Sequence, residues 1–282
     1  MSRQLDADLI AAALLHRGAT LGQPLTVLQE VDSTNDEAKA AARGGGAHGA
    51  LFVADSQRSG RGRGGKSWHS PPGENLYLSF LLRPTIQPGR MPMLSLVAGV
   101  AVARVLDEAL SPMPPSAQAG ATPSAESPRV QIKWPNDVYV NDAKIAGVLI
   151  EAVTRGSDPP DIIVGIGLNV ATRVFPPEIK PPATSLALLG REDLDRESLV
   201  AAIAFHLGEG LSVFTADGPA TMLAELERRD WLAGRTVQVG EIEGLAVGID
   251  GQGQLEVRDR MGSVHSVVSD EVSVRDLSRG SS

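Results

Sequence analysis

The chain has 282 residues, 42% of them hydrophobic, and a formal net charge of -8 at pH 7. That is enough for a substantial core in one large domain, or one large and one small, and the acidic balance argues against broad non-specific nucleic-acid binding. With no cysteine, disulfides and thiolate metal sites are excluded; this fits a cytoplasmic protein. No apolar run approaches the roughly 20 residues of a membrane span, and Met1 to Asp8 lacks the layout of a secretory signal.

Residues 1 to about 22 predict one short helix, with Leu5, Leu9, Ala12 and Ala13 near helical spacing and Gly18 able to end it. A DNA-reading helix-turn-helix needs about three helices, so no DNA partner is expected. His16 reads as surface. Leu25–Val31 is a strand candidate. Asp32-Ser33-Thr34-Asn35-Asp36-Glu37 then predicts a helix start, with Ser33 or Thr34 in a capping box. A helix N-terminus just after a strand is also suited to a polar ligand. Gly44 to Gly46 ends the helix, and Ala50–Ala54 reads as a buried strand.

Ser56 to Asn75 is a loop dense in glycine and cation. Gly62, Gly64 and Gly65 are expected to take positive φ and approach a ligand closely, while Arg61, Arg63 and Lys66 suit an anion. Gly60 to Ser67 satisfies the phosphate-loop pattern G-x-x-x-x-G-K-[ST]. That motif works only when a helix follows, and here Pro71-Pro72-Gly73 and then a strand, Leu76–Leu82, follow. A solvated basic hairpin is the other plain reading of the loop.

Pro92 to Leu110 predicts a long helix with an apolar face of Leu94, Val97, Ala98, Ala101, Val105 and Leu106. Residues 111–128, rich in Pro, Ser and Ala, read as a disordered insertion. Two strands are expected between Arg129 and Glu151, joined at Asn141-Asp142. Lys133 stands in the first where apolar residues are otherwise expected; it is an anion-site candidate, or an edge-strand lysine that blocks aggregation. Asp161–Val170 is a buried strand whose glycines permit close approach. Helices are expected at Thr184–Leu189, Arg196–Phe214, and from Pro219 to Asp230. From Trp231 on, five short strands separated by Gly and Asp turns predict a small barrel-like domain.

Four segments in order resemble the biotin protein ligases: Asp32-Ser33-Thr34-Asn35, the basic loop, Lys133-Trp134-Pro135-Asn136-Asp137, and Gly165-Ile166-Gly167-Leu168-Asn169. The resemblance covers about residues 26 to 275. It implies an α+β fold: a mixed sheet flanked by helices, of the class II aminoacyl-tRNA synthetase/biotin ligase-like kind, over residues 1–230, then a small C-terminal SH3-like β-barrel over 231–276. It implies ATP-dependent joining of biotin, through biotinyl-5'-AMP, to a lysine of a biotin carboxyl carrier domain, with Mg2+ required. Family members dimerise by pairing sheets side by side, which makes a homodimer an option that this sequence does not decide.

By resemblance, Ser33, Thr34, Asn35 and Gln57 bind the ureido ring. Gly60, Arg61, Gly62 and Arg63 of the loop hold biotin, and Gly147 lies against its ring system. Arg61, Arg63, Trp68, Lys133, Asn136 and Asn169 take the adenylate, with Trp68 packed on adenine and Asn169 at its edge. Lys133 contacts both the biotin carboxylate and the phosphate, and Asp137 orients the incoming lysine or a metal. The chemistry fits these residue types. A carboxylate and a phosphate repel by several kcal/mol at ~4 Å, and Arg61, Arg63 and Lys133 offset that repulsion. The glycines imply a loop that is disordered until it closes over the adenylate. Trp134 reads as packing.

The chain departs from the family at Asp270, where relatives usually have Gly, and at the 111–128 insertion. A lipoate or octanoyl transferase is the nearest enzyme alternative, but it should lack the Gly-Arg-Gly-Arg loop and the Trp-Pro-Asn-Asp segment. A biotin-responsive binding module is the non-enzyme alternative, opposed by the acidic charge.

Overall fold

The computed structural model describes residues 4–111, 128–155, 158–268 and 271–274. The insertion expected at 111–128 lies outside them except at its ends, as does Asp270. Helix α1 (Ala7–Arg17) is capped by Asp6, whose side chain accepts from the N–H groups of Asp8 and Leu9, and it ends at Gly18 with φ 65°. His16 is exposed, as expected.

Strands β1 (Leu25–Val31) and β2 (Leu51–Gln57) pair in parallel around the crossover helix α2 (Thr34–Arg43). Strand β3 (Leu76–Leu82) is antiparallel to β2, and α3 (Met93–Leu110) follows it. Then β4 (Val130–Lys133), β5 (Asp137–Val140), β6 (Ala143–Arg155) and β7 (Asp158–Leu168) run antiparallel, and β7 returns to β3. The seven-stranded order is β1-β2-β3-β7-β6-β5-β4, a mixed sheet as expected. After α4 (Arg196–Asp217) and α5 (Ala220–Arg229), strands β8 (Thr236–Val239), β9 (Ile242–Ile249), β10 (Leu255–Asp259), β11 (Val264–Val267) and β12 (Val272–Val274) form an antiparallel sheet of the SH3-like kind, order β11-β10-β9-β8-β12.

Period-two alternation gives the large sheet two different faces. Leu78, Phe80, Ile162, Val164 and Ile166 point into the main core with α1, α3, α4 and α5. The opposite face is covered by α2, but only in part. Ala38 and Ala42 of α2 pack on Leu81, Val153 and Ile163. With ten residues, α2 spans about 15 Å and stops short of the rest of that face. There the register sets Tyr77 beside Gly167 beside Gly147, and Ser79 beside Gly165 beside Leu149. An uncovered row of small residues on a sheet is the place a ligand can use.

Several expectations change. Residues 129–151 hold three strands, because the turn at Pro135-Asn136 separates β4 from β5; proline has no N–H to give a ladder. Thr184–Leu189 is a single 3-10 turn at Ala187–Leu189. The chain before it is tied to β6, with the Thr184 N–H donating to the Lys144 carbonyl at 2.9 Å. Helix α4 carries one stretch, Arg196–Ala216, long and apolar enough by length and composition to cross a membrane, against the expectation that no run approaches a span. It packs on α1 and α3 as a core helix.

Trp134 joins the two sheets. It is 1% exposed, and its Nε1–H donates to the Gly253 carbonyl at 2.9 Å. Trp134→Ala should cost about 3–5 kcal/mol in urea unfolding; a loss under about 1 kcal/mol would mean that the sheets do not depend on this side chain.

Candidate active site

The missing side chains of Gly165 and Gly167 shape the site. A Cβ at Gly165 would lie 2.2 Å from Asn35 Oδ1, and one at Gly167 would lie 2.4 Å from Trp68 Cε2. A Cβ at Gly147 would come 3.1 Å from the same indole. Asn35 and Trp68 therefore lie flat on bare backbone. The indole of Trp68 separates an inner chamber of about 50 Å³, lined by Thr34, Asn35, Gln57, Arg61 and Gly147 among others, from an open cavity of about 910 Å³ that includes Arg63, Lys66, Lys133, Asn136 and Asn169.

The start of α2 faces the inner chamber. Ser33 occupies the N-cap position but makes no capping bond with its side chain, which corrects the capping-box expectation. The Gln57 amide oxygen instead accepts from the Thr34 N–H at 2.9 Å. That leaves Ser33, Thr34 and Asn35, all buried, as chamber walls.

The basic loop is folded down on the site. Gly64 and Gly65 have φ 65° and 75°, whereas Gly62 is extended at φ -110°, so the positive φ expected of Gly62 is corrected. Gly60 is needed for a different reason: a Cβ there would lie 2.5 Å from Ser70 Oγ. Arg61 makes a bidentate pair with Asp36 at 2.6 and 2.8 Å and reaches Glu151 at 3.4 Å. Lys39 pairs with both carboxylates at 3.0 Å. The Arg61 hydrogen bonds, with help from Lys39 and against the cost of burial, lower the Asp36 carboxyl to about 2.

Lys133 projects from β4 at the sheet edge, toward the cavity and over the Trp231 ring, with Nζ 5.6 Å from its centroid. Burial lowers its pKa, Asp137 opposes that, and the nearby charges of Lys144 and Lys66 lower it further. Asp137 forms an ion pair with Lys144 at 2.7 Å, not aligned as a hydrogen bond. Lys144 also stands over the Trp68 ring, 5.3 Å from its centroid. The C-terminal sheet reaches the cavity through Glu271, which contacts Lys66.

A chamber floored by glycine, walled by amides and hydroxyls, and joined to a cavity rimmed with cations suits a neutral polar ring with an anionic tail. The sequence comparisons agree. The model of the biotin/lipoate A/B protein ligase family matches residues 29–169. The chain is 32% identical over 277 residues to the bifunctional ligase/repressor BirA of Escherichia coli, covering 93% of this chain and 78% of that protein. It is 32% identical over 238 residues to the biotin--[acetyl-CoA-carboxylase] ligase of Mycobacterium tuberculosis, covering 82% of each. The chain belongs to the biotin/lipoate A/B protein ligase family. Among solved structures, the Aquifex aeolicus biotin protein ligase in complex with biotin and ATP superposes with TM-score 0.73 at 33% identity, over 89% of this chain and 97% of that one.

Within this family member the structure gathers Ser33, Thr34, Asn35, Gln57, Arg61, Gly62, Arg63 and Gly147 around the inner chamber. Lys133, Asn136, Asp137, Asn169 and Gly60 line the outer cavity. Two amides are partly committed elsewhere. Asn136 donates to the Val148 carbonyl at 2.9 Å, and Asn169 to that of Thr184 at 3.0 Å. Trp68 rests on the glycine floor, where the sequence reading placed biotin against Gly147. Sequence reading missed Lys144, Ser79 and Glu151. Glu151 had a signal: it follows Gly147 by four on a strand, hence on the same face, in an otherwise apolar run.

Asp36→Asn should cost about 1 kcal/mol at pH 7, after allowing for solvent screening of a pair that is 35% and 42% exposed. The folded value of about 2 lies below the ordinary 3.8. The contribution is therefore fully present above pH 3.8 and is lost as pH falls toward 2. Urea unfolding across that range should show wild type and variant converging; parallel curves would refute the linkage.

Proposed function

We propose that this protein activates biotin with ATP and transfers it to a lysine of a biotin carboxyl carrier domain, working in the cytoplasm, where ATP is supplied. The observation that carries the reading is that the amide-walled chamber shares Gln57, Arg63, Trp68, Asn136 and Lys144 with the cation-rimmed cavity, which Lys133 lines. A carboxylate oxygen of biotin attacks the α-phosphorus of ATP, the bond to the β-phosphate oxygen breaks, and pyrophosphate leaves. The carrier lysine, as a free amine, then attacks the carbonyl carbon of biotinyl-AMP; the acyl–oxygen bond breaks, AMP leaves, and the amine proton is lost.

Each residue has a role in that scheme. Lys133 lies between the reacting carboxylate and the α-phosphate and holds the charge that develops there. Arg61 and Arg63 neutralise the remaining anionic charge, Arg61 after exchanging Asp36 for the ligand. Thr34, Asn35 and Gln57 hold the ureido ring over Gly147, Gly165 and Gly167. At about 50 Å³ the chamber holds one or two waters, so biotin enters only when Trp68 lifts from the floor, after which the indole is available to adenine. Asp137, paired with Lys144, is placed to orient the incoming amine. Among the described residues no group of three or more His, Asp or Glu could hold a metal. Mg2+ would arrive on the phosphates, as it commonly does, and would neutralise phosphate charge; Asp137 is a carboxylate of the same cavity that could help to hold it.

Biotin-dependent exchange of labelled pyrophosphate into ATP tests the first step, with lipoate as the parallel substrate. Exchange with biotin alone is expected; exchange with lipoate instead would reassign the chain within its family. Lys133→Ala should lower exchange by about 100-fold or more while thermal unfolding stays within a few degrees, and a wild-type rate would refute the role. The exchange rate should also fall with rising pH at a midpoint below 10.5, the ordinary lysine value, because burial weakens the Lys133 proton. Lys133→Arg, whose charge does not titrate there, should abolish that alkaline limb.

A further inference from the structure

Behind the chamber runs a chain of hydrogen bonds that ends on Thr34, one of the residues assigned above to the ureido ring. Glu151 Oε2 accepts from Asn35 Nδ2 at 2.7 Å, and Glu151 Oε1 from Lys39 at 3.0 Å. Asn35 Oδ1 lies 2.5 Å from Ser79 Oγ, which lies 2.8 Å from Thr34 Oγ1. The Asn35 amide rests directly on the bare backbone of Gly165, where a Cβ would lie 2.2 Å from Oδ1.

The direction of this chain follows from donor and acceptor chemistry. An ionised carboxylate only accepts, so Glu151 forces the amide nitrogen of Asn35 toward itself and the amide oxygen toward Ser79. An amide oxygen also only accepts, so the single Ser79 proton goes to Asn35. Ser79 then has none to give Thr34. Two hydroxyl oxygens 2.8 Å apart need a proton between them, so the Thr34 proton turns inward to Ser79 and only lone pairs of Thr34 are left to face the chamber. Burial works against the Glu151 charge, but the hydrogen bonds of Asn35 and Lys39 and the charges of Lys39 and Arg61 outweigh it and keep its pKa low.

We propose that Glu151 is a specificity-determining positioning residue: through Asn35 and Ser79 it makes Thr34 an acceptor that selects a ligand N–H. On the reading given above, that N–H belongs to the cyclic urea of biotin. A neutral amide at position 151 would remove the constraint. Glutamine can donate to Asn35 Oδ1, Asn35 can turn over, and the relay can run backwards until Thr34 donates.

The test compares biotin with its two cyclic carbamate analogues, in each of which one ureido N–H is a ring oxygen, in pyrophosphate exchange. Wild type should reject the analogue that puts oxygen against Thr34 by ~10- to 100-fold in kcat/KM, the usual cost of an unmatched buried hydrogen bond. In Glu151→Gln that discrimination should shrink below about threefold, with the loss for biotin mainly in KM. Ser79→Ala cuts the relay at its middle and should lose discrimination too, which keeps the test open if Glu151→Gln does not fold. Lys39→Met, on the same carboxylate but outside the relay, should keep it. Equal discrimination in wild type and both relay variants, or none in wild type, overturns the proposal. Absence of biotin-dependent exchange in wild type overturns the enzymatic reading itself, and the proposal with it.

Discussion

The site depends on the absence of side chains at three positions of one sheet face. Gly147 and Gly167 are register neighbours, and Gly165 is two residues from Gly167 on the same strand. Any Cβ at Gly165 or Gly167 would stand within 2.4 Å of an atom now lying on the floor. Glycine is costly inside a strand because it orders more backbone freedom and packs nothing. That cost is tolerated here where the face must stay flat. The same face becomes apolar one pair further on, at Leu81 and Ile163, and α2 covers only that part.

Charge is the second constraint. The reaction brings two anions together in a protein that is acidic overall, so cations must be concentrated locally and kept in place beforehand. Arg61 is held by Asp36 and Glu151, Lys144 by Asp137, and Lys66 by Glu271. These partners are carboxylates, the same kind of group that a ligand presents. A cation paired in this way is already oriented and partly desolvated, and an incoming carboxylate or phosphate can replace its partner by exchange. The pairs around Arg61 are partly exposed, so each contributes little to stability. Their consequence lies in geometry.

How much of this was legible in the sequence depended on the kind of signal. The strands, the long α3 and the five short C-terminal strands follow from periodicity and turn residues, and the structure has them. The expected helix at Thr184–Leu189 failed because its backbone is drawn to β6, a contact forty residues away in sequence. The capping box at Ser33 also failed: its side chain makes no capping bond, and the Asp36 N–H donates to the Ser33 carbonyl at 2.9 Å. At Thr184–Leu189 a local preference lost to a tertiary partner. Most of the residues named in advance that line the chamber and the cavity cluster in short motifs of unusual composition. Ser79 and Glu151 stand outside those motifs; a polar residue in an apolar strand was the one signal of Glu151, and the register of three strands gives both their meaning.

The sequence by itself determined most of the elements, where the cations and glycines stand, and that they suit an anionic ligand, because periodicity, turn chemistry and charge are local properties. The tertiary structure alone decided what touches what. It placed Trp68 on the glycine floor, paired Arg61 with Asp36, brought Glu151 behind Asn35, and set Lys133 beside Trp231. The physical reason is that each of these contacts joins residues from different elements. A hydrogen bond or an ion pair is decided within a few tenths of an ångström, a precision that only strand register and helix packing supply.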